Sequence, residues 1–231
     1  MDQMNAHIYE LHGQLYRRNV PLEKISQANY ALDAQISDTL AVDESDYCVV
    51  KRIMRQKLCV VLADITTLTI DAIVNAANKY LAGGYGVDGA IHRAAGPGLI
   101  EECRQLGGCP TGEAKVTGAY NIKNVKAIIQ TVGPVARGRS VTRRHRRLLA
   151  ACYINSLEAA KSHGLRSVAF PCISTGVYAY PSEDAARVAL TATRDWLLAK
   201  AENAEAIDKI VYCVFHESDK DIYEALIPEI F

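Results

Sequence analysis

The stretch DAIVNAANKYLAGGYGVDGAIHRAAG, residues 71–96, runs from an apolar strand through a loop of small residues into a helix. It contains a literal G-x-G-x-x-G at Gly84, Gly86 and Gly89, with a carboxylate, Asp88, inside it. A dinucleotide-binding turn needs a strand that runs straight into the first glycine, and an acidic residue about 20 positions on at the end of the next strand. Here eight residues separate Val74, near the strand's end, from Gly83, and position 109 is Cys109 in a glycine-rich turn. The dehydrogenase pattern therefore fails, but an anion cradle remains. Gly83, Gly84 and Gly86 admit positive φ and close backbone approach, and Val87 to Ala90 open a helix whose first N–H groups are unpaired. A diphosphate suits such a cradle. Asp88 is then the residue to explain, since a bound diphosphate repels it. Its plain reading is a helix-capping surface carboxylate; its functional reading is a base or orienter for a water molecule. Asn78, on the same loop, supplies an amide that both donates and accepts, and the two together are expected to hold that water.

Working outward, KLCVVLADI, EAKVTGAY, KAIIQTVGP, RSVAFPCIS and KIVYCVF read as further strands, most too continuously apolar for a half-exposed sheet. Helical patterns alternate with them. LLAACYINSLEAAKSHG stops at Gly164; SEDAARVALTATRDWLLAK has Ser182 as its expected N-cap; SDKDIYEALI has Ser218 and Asp221 as an expected capping box. Strands buried on both faces and alternating with helices predict an α/β protein: a three-layer α/β/α sandwich with a mixed, largely parallel central sheet. Residues 1–47 differ, with eight acids against three bases and a helical apolar period in PLEKISQANYALDAQI. They are expected to form an N-terminal helical extension, leaving 48–231 as the main domain.

The 231 residues, 49 % of them hydrophobic, suffice for a sizeable core. The formal net charge is zero, which gives no bulk attraction to nucleic acid or anionic membrane. There is no apolar run long enough to span a bilayer and no signal-peptide pattern. The seven cysteines are odd in number and lack a C-x-x-C pair, so reduced thiols are expected rather than a disulfide framework or zinc site. An intracellular, reducing compartment is expected, cytoplasm, nucleus or both.

In doubly covered sheets ligands bind at the C-terminal ends of strands. Besides the glycine loop, two such ends look purposeful: Asp64 after LADI, and STGVYAYP, residues 174–181, after VAFPCI. Other residues invite overreading. Arg137, Arg139, Arg143, Arg144, Arg146 and Arg147 form a basic segment that suits nucleic acid, yet no aromatic residue is interleaved, which favours a solvated helix start. His92 is expected in a structural, hydrogen-bonded place, Cys172 has no evident histidine partner, and Trp196 fits a core face.

DAIVNAAN, GGYGVDGAIHRAAG, PTGEAKVTGAY, TVGP and VAFPCISTGVYAYP together resemble the signature segments of the macrodomain family, specifically its MacroD-type branch, over roughly Lys57 to Phe231. The resemblance implies hydrolysis of mono-ADP-ribose from Asp and Glu side chains and deacetylation of O-acetyl-ADP-ribose, with no cofactor and no metal. It implies Asp64 reading the adenine amino group beside Ile65, with Phe215 stacked on the ring. Gly86, Val87, Ser174, Thr175, Gly176 and Val177 would bind the diphosphate and Tyr178 the distal ribose. Asn78 and Asp88 would be catalytic, and Ala77, Gly84 and Tyr85 complete the substrate-contacting set. The implied partners are ADP-ribose and ADP-ribosylated proteins; nucleic acid is not favoured, no membrane is involved, and the chain is expected to be a monomer. Three positions depart from the family pattern. Tyr85 replaces the third glycine of GGGGVDG, so that its ring either crowds the distal ribose or projects outward as a wall of the channel. Ala63 and Gln130 replace a glycine and a histidine, with little effect expected. A non-catalytic ADP-ribose reader and an RNA-binding domain are the competing readings.

Overall fold

Among the described residues six short strands carry the fold, each cut from one of the apolar runs. They are β1 (Leu58–Leu62), β2 (Ile70–Ala76), β3 (Ala114–Gly118), β4 (Val125–Thr131), β5 (Ser167–Phe170) and β6 (Lys209–Val214). The computed structural model describes residues 53–137 and 140–231; the expected N-terminal extension and Arg139 lie outside them. The strands form one sheet in the order β1-β6-β5-β2-β4-β3, parallel throughout except that β3 runs antiparallel to β4. Helices α1 (Gly86–Ala95), α2 (Pro97–Gln105), α3 (Arg143–Ser162), α4 (Ser182–Ala199), α5 (Ala201–Ala206) and α6 (Glu217–Ile230) connect and cover them.

Side chains alternate across a strand, so each apolar run feeds two cores. Ala72 and Val74 of β2, with Phe170, Ile210 and Tyr212, pack under α3, α4 and α6. Ile73, Ile128, Ala169 and Val211 face the other way, under Ile91 of α1 and Leu99 and Cys103 of α2. This is the expected three-layer sandwich, and it explains why the strands read as continuously apolar: both faces are covered. Tyr153, Phe170, Tyr212 and Tyr223 form a run of ring contacts with centroids 5.0, 6.3 and 4.7 Å apart. Trp196 is buried as expected, its Nε1 donating to Glu158 at 2.7 Å.

Two capping expectations are corrected. Helix α4 starts at Ser182 itself, with Pro181 in the cap position and no side-chain cap bond. Helix α6 starts at Glu217 behind His216, so Ser218 and Asp221 already lie inside it and form no capping box. In both, the chain leaves a strand-end loop in extended geometry at a residue without a capping side chain, and acids in the first turn (Glu183 and Asp184; Glu217 and Asp219) face the helix dipole instead.

The N-terminal ends of the strands are tied by Asp71. Its Oδ2 accepts from the amides of Arg166 at 2.8 Å and Ser167 at 3.1 Å, the Asp71 amide donates to Ser167 Oγ at 2.9 Å, and Lys126 Nζ lies 2.6 Å from Oδ1. Burial pulls this carboxyl's pKa upward, but Lys126 and the two amides outweigh it and hold it below the usual value. Arg166 in turn grips Asp208 through Nε and Nη2, both at 2.7 Å. The opposite ends of the strands are left to the loops.

Candidate active site

The loops at the C-terminal ends of β1, β6, β5 and β2 enclose a cleft of about 860 Å³. The residues expected to bind substrate or to be catalytic line it, whereas Gly83 of the expected cradle is not among its lining residues. Asp64 caps a 3-10 turn after β1, its Oδ1 accepting from Thr66 N at 2.9 Å and Thr66 Oγ1 at 2.7 Å, and Ile65 is buried beside it. Phe215, 78 % exposed, stands at the end of β6 with its ring edge-on to His216. One wall of this end thus offers an acceptor and the other an unstacked aromatic face.

The centre is formed by two loops from neighbouring parallel strands, β2 and β5. After β2, Gly83 and Gly86 take positive φ of 72° and 62°, and Gly86 begins α1, so that its first-turn amides, which lack helical partners, belong to residues lining the cleft. After β5, Ser174 itself sits at φ 70°, a left-handed geometry that turns the chain so that Gly176 O accepts from Ala179 at 2.8 Å and Ser174 O from Tyr180 at 2.9 Å. The amides of Gly176, Val177 and Tyr178 have no backbone partner among the described residues. Two sets of open donors on one cleft make a place for a doubly charged, multi-oxygen anion.

Asp88 is the chemical focus. It is buried in the first turn of α1, with Oδ1 receiving Asn75 Nδ2 at 2.8 Å and His92 Nε2 lying 3.4 Å away. Its Oδ2 accepts no hydrogen bond among the described residues and faces Gly84, where a side-chain carbon would stand 3.0 Å from it. Burial pushes the Asp88 pKa above the usual carboxylate value, although Asn75 and His92 oppose the shift. The result is a carboxylate with one oxygen fixed and the other presented to the cleft.

Asn75 is the residue the sequence reading missed. It is fully buried in β2, and its Nδ2 also donates to Gln130 Oε1 at 2.8 Å, while Gln130 Nε2 donates to Thr117 Oγ1 at 3.3 Å. A polar residue inside the apolar run AIVNAA was the available signal, because a buried amide needs partners. The same chain of bonds gives Gln130, the residue in place of the family's histidine, a definite part: it is fully buried and holds the amide that holds Asp88. Replacing Asn75 by Ala removes a donor to the charged form, so the Asp88 pKa is expected to rise further; an NMR titration of the Asp88 carboxyl carbon measures it.

Asn78 is also engaged within the loop itself. Its Nδ2 donates to Gly83 O at 2.8 Å and its Oδ1 accepts from Tyr80 N at 3.1 Å, so it braces the glycine loop. Yet Nδ2 and Asp88 Oδ2 converge beneath Gly84, 3.9 and 3.0 Å from the point a Cβ would occupy. Among the described residues His92 Nε2 has no hydrogen-bond partner, where a hydrogen-bonded core place was expected; its ring lies under Gly83, with Nε2 3.4 Å from Asp88 Oδ1. Of the two arrangements open to Tyr85, the structure takes the outward one: the ring is 90 % exposed at the lip of the cleft. Tyr178 is half-buried on the facing lip, its pKa raised by burial and by Asp88. The Cys172 thiol is pushed up to about 12 by burial and Asp219, which makes it a poor nucleophile. Among the described residues no group of three His, Cys, Asp or Glu side chains is placed to hold a metal ion.

An α/β/α sandwich with a two-loop anion cradle and a buried, half-free carboxylate defines the class. The chain belongs to the macro domain family, whose model, described as Macro domain, matches residues 74–189. It is 48 % identical over 217 residues to the ADP-ribose glycohydrolase MACROD2 of Xenopus laevis, covering 94 % of this chain and 50 % of that protein. A macro domain-containing protein of Chlorobaculum tepidum is 53 % identical over 162 residues, covering 70 % of this chain and 90 % of its own. The Trypanosoma brucei macrodomain in complex with ADP-ribose superposes with a TM-score of 0.68 at 40 % identity, covering 74 % of this chain and 69 % of that one. The chain spans about half the length of the vertebrate MACROD2 relatives it matches.

Proposed function

We propose that this chain hydrolyses the ester that joins ADP-ribose to Asp and Glu side chains of modified proteins, and the ester of O-acetyl-ADP-ribose. The observation that carries the proposal is Asp88: a buried carboxylate with Oδ1 held by Asn75 and Oδ2 open beneath Gly84, beside an anion cradle. Adenine lies between Ile65 and Phe215 with its amino group on the free oxygen of Asp64. The diphosphate takes the amides of Gly86, Val87 and the Ser174–Val177 loop, which delivers the distal ribose to Tyr178, Asn78 and Asp88. Oδ2 accepts a proton from water as the water oxygen bonds to the acyl carbon of the ester. The bond from that carbon to the ribose oxygen breaks, Asp88 passes its proton to the leaving oxygen, and the products are ADP-ribose and the carboxylic acid, which ionises in solvent. A positioned base of this kind contributes roughly 10²–10⁴ in rate. The similarity to the Xenopus laevis ADP-ribose glycohydrolase MACROD2 supports a hydrolase acting on ADP-ribose.

The test is loss of label from a glutamate-linked mono-ADP-ribosylated protein, and of acetyl from O-acetyl-ADP-ribose, followed beside an Asp88→Ala control. Release that the substitution abolishes is the expected result. Tight ADP-ribose binding with no release would instead make the protein a reader. The outward ring of Tyr85 argues against the reader, since it leaves the reactive end unobstructed. Accordingly, Tyr85→Gly is expected to leave ADP-ribose affinity within about threefold, less than 1 kcal/mol. Isothermal titration calorimetry measures this; a larger loss would place the ring over the ligand.

A further inference from the structure

The basic segment places cations where the fold resists them. Helix α3 opens with Arg143, Arg144, Arg146 and Arg147 and carries no acid in its first turn. The positive end of the helix dipole repels all four, and pairs three or four positions apart, such as Arg143 and Arg147, repel each other. Among the described residues only Arg146 is answered: its Nε and Nη2 donate to Asp184 at 3.0 and 3.1 Å. Arg143, Arg144 and Arg147 are exposed and meet no carboxylate among the described residues, and neither does the exposed Arg137. A cluster that weakens its own helix finds its counter-charge in solvent or in a partner.

Two hydrogen-bonded links set this cluster beside the cleft. Ala136, which precedes Arg137, donates its amide to Tyr178 O at 2.9 Å. Asp184, the partner of Arg146, stands two residues after Ser182, which opens α4 and lines the cleft. In the proposed reaction the distal ribose lies against Tyr178, and the modified side chain leads outward from that ribose. The arginines thus border the side from which the modified polypeptide comes. We propose that Arg137 and the start of α3 dock an acidic polypeptide, so that the protein prefers modified Asp and Glu residues set among further Asp and Glu residues. The inference rests on the hydrolase reading of the cleft and adds a substrate class to it. Nucleic acid fits the cluster less well. It holds no aromatic side chain on which a base stacks, and the His145 ring is taken up by the capping box, its Nδ1 accepting from Thr142 N at 3.2 Å.

The test compares two glutamate-linked mono-ADP-ribosylated peptides, one flanked by Asp and Glu and the other by Ser and Gln, with O-acetyl-ADP-ribose as a substrate that has no flanks. Wild type is expected to give the acidic peptide about tenfold higher kcat/KM at low salt, chiefly through KM. At about 0.5 M salt the gap is expected to close to about twofold. Combining Arg143→Gln, Arg144→Gln and Arg147→Gln is expected to close it at low salt, while O-acetyl-ADP-ribose turnover stays within about twofold. If the triple variant does not fold, Arg144→Glu replaces it and is expected to lower the preference by at least about threefold. Equal wild-type values for the two peptides, or a gap that survives these substitutions, overturn the proposal; continued hydrolysis of O-acetyl-ADP-ribose then leaves the hydrolase reading standing. Hydrolysis of none of the three substrates overturns both. A short unmodified RNA strand that inhibits the acidic-peptide reaction more strongly than the unmodified acidic peptide does, and loses that effect in the variant, assigns the surface to nucleic acid and overturns the proposal.

Discussion

Asp88→Asn is expected to slow ester hydrolysis by about 10²–10⁴-fold while ADP-ribose affinity stays within about tenfold. The amide keeps the shape of the side chain but cannot take a proton from water. The same substitution is expected to stabilise the fold at neutral pH. Asp88 has its folded pKa raised above the ordinary 3.8 by burial. Such a group contributes its stability fully below the unfolded value, and that contribution is lost as pH rises through the folded value. An asparagine loses nothing over that window. The difference in melting temperature between variant and wild type is therefore expected to be near zero below pH 3.8, to grow as pH rises through the raised native value, and then to level off. Thermal unfolding across that range, together with turnover, measures both effects; a variant that is slower and also less stable at pH 7 would show that the charge is not strained. For the same reason the acid limb of the pH–rate profile should lie above the ordinary carboxylate range.

Gly89→Ala is expected to damage the cleft more broadly. A Cβ at Gly89 would overlap the carbonyl oxygen of Gly84 and approach Arg93 Nη1 at 3.1 Å. A backbone carbonyl cannot turn aside as a long side chain can, so the loop must lift from α1. Overpacking of this kind typically costs 1–3 kcal/mol. Because Gly84 covers Asp88 Oδ2 and adjoins the first free amides of α1, the lifted loop is also expected to lose at least about tenfold in ADP-ribose affinity. Denaturant unfolding and titration calorimetry read the two losses. Unchanged affinity beside reduced stability would remove the glycine loop from the diphosphate's grip.

The sequence carried the layered fold because its strands are apolar on both faces, and a run such as AIVNAA leaves few alternatives to a covered sheet. It carried the cleft because the glycine loop and STGVYAYP each follow such a strand. What it could not carry was pairing across distance. Asn75, Gln130 and Thr117 come from three strands, and only the β2-β4-β3 register brings them into one line of hydrogen bonds toward Asp88. Asn78 was recognised as important, but which atoms its amide would meet depended on how the loop closed, with Gly83 folding back onto it. Helices α2 and α5 were not anticipated: α2 is only nine residues, follows α1 directly after Gly96, and α5 is six. Short helices with little apolar period depend on tertiary packing rather than local pattern.

The Asp71 clamp sits at the far end of the strands from every residue of the proposed reaction. Its pKa is lowered where that of Asp88 is raised, so acid weakens the clamp while relieving the cleft. That separation makes the clamp end a natural attachment point. A dye, tether or solid support fixed near Lys126 or Asp208 would leave the loops around the cleft untouched, so that the immobilised protein would keep its cleft turned outward.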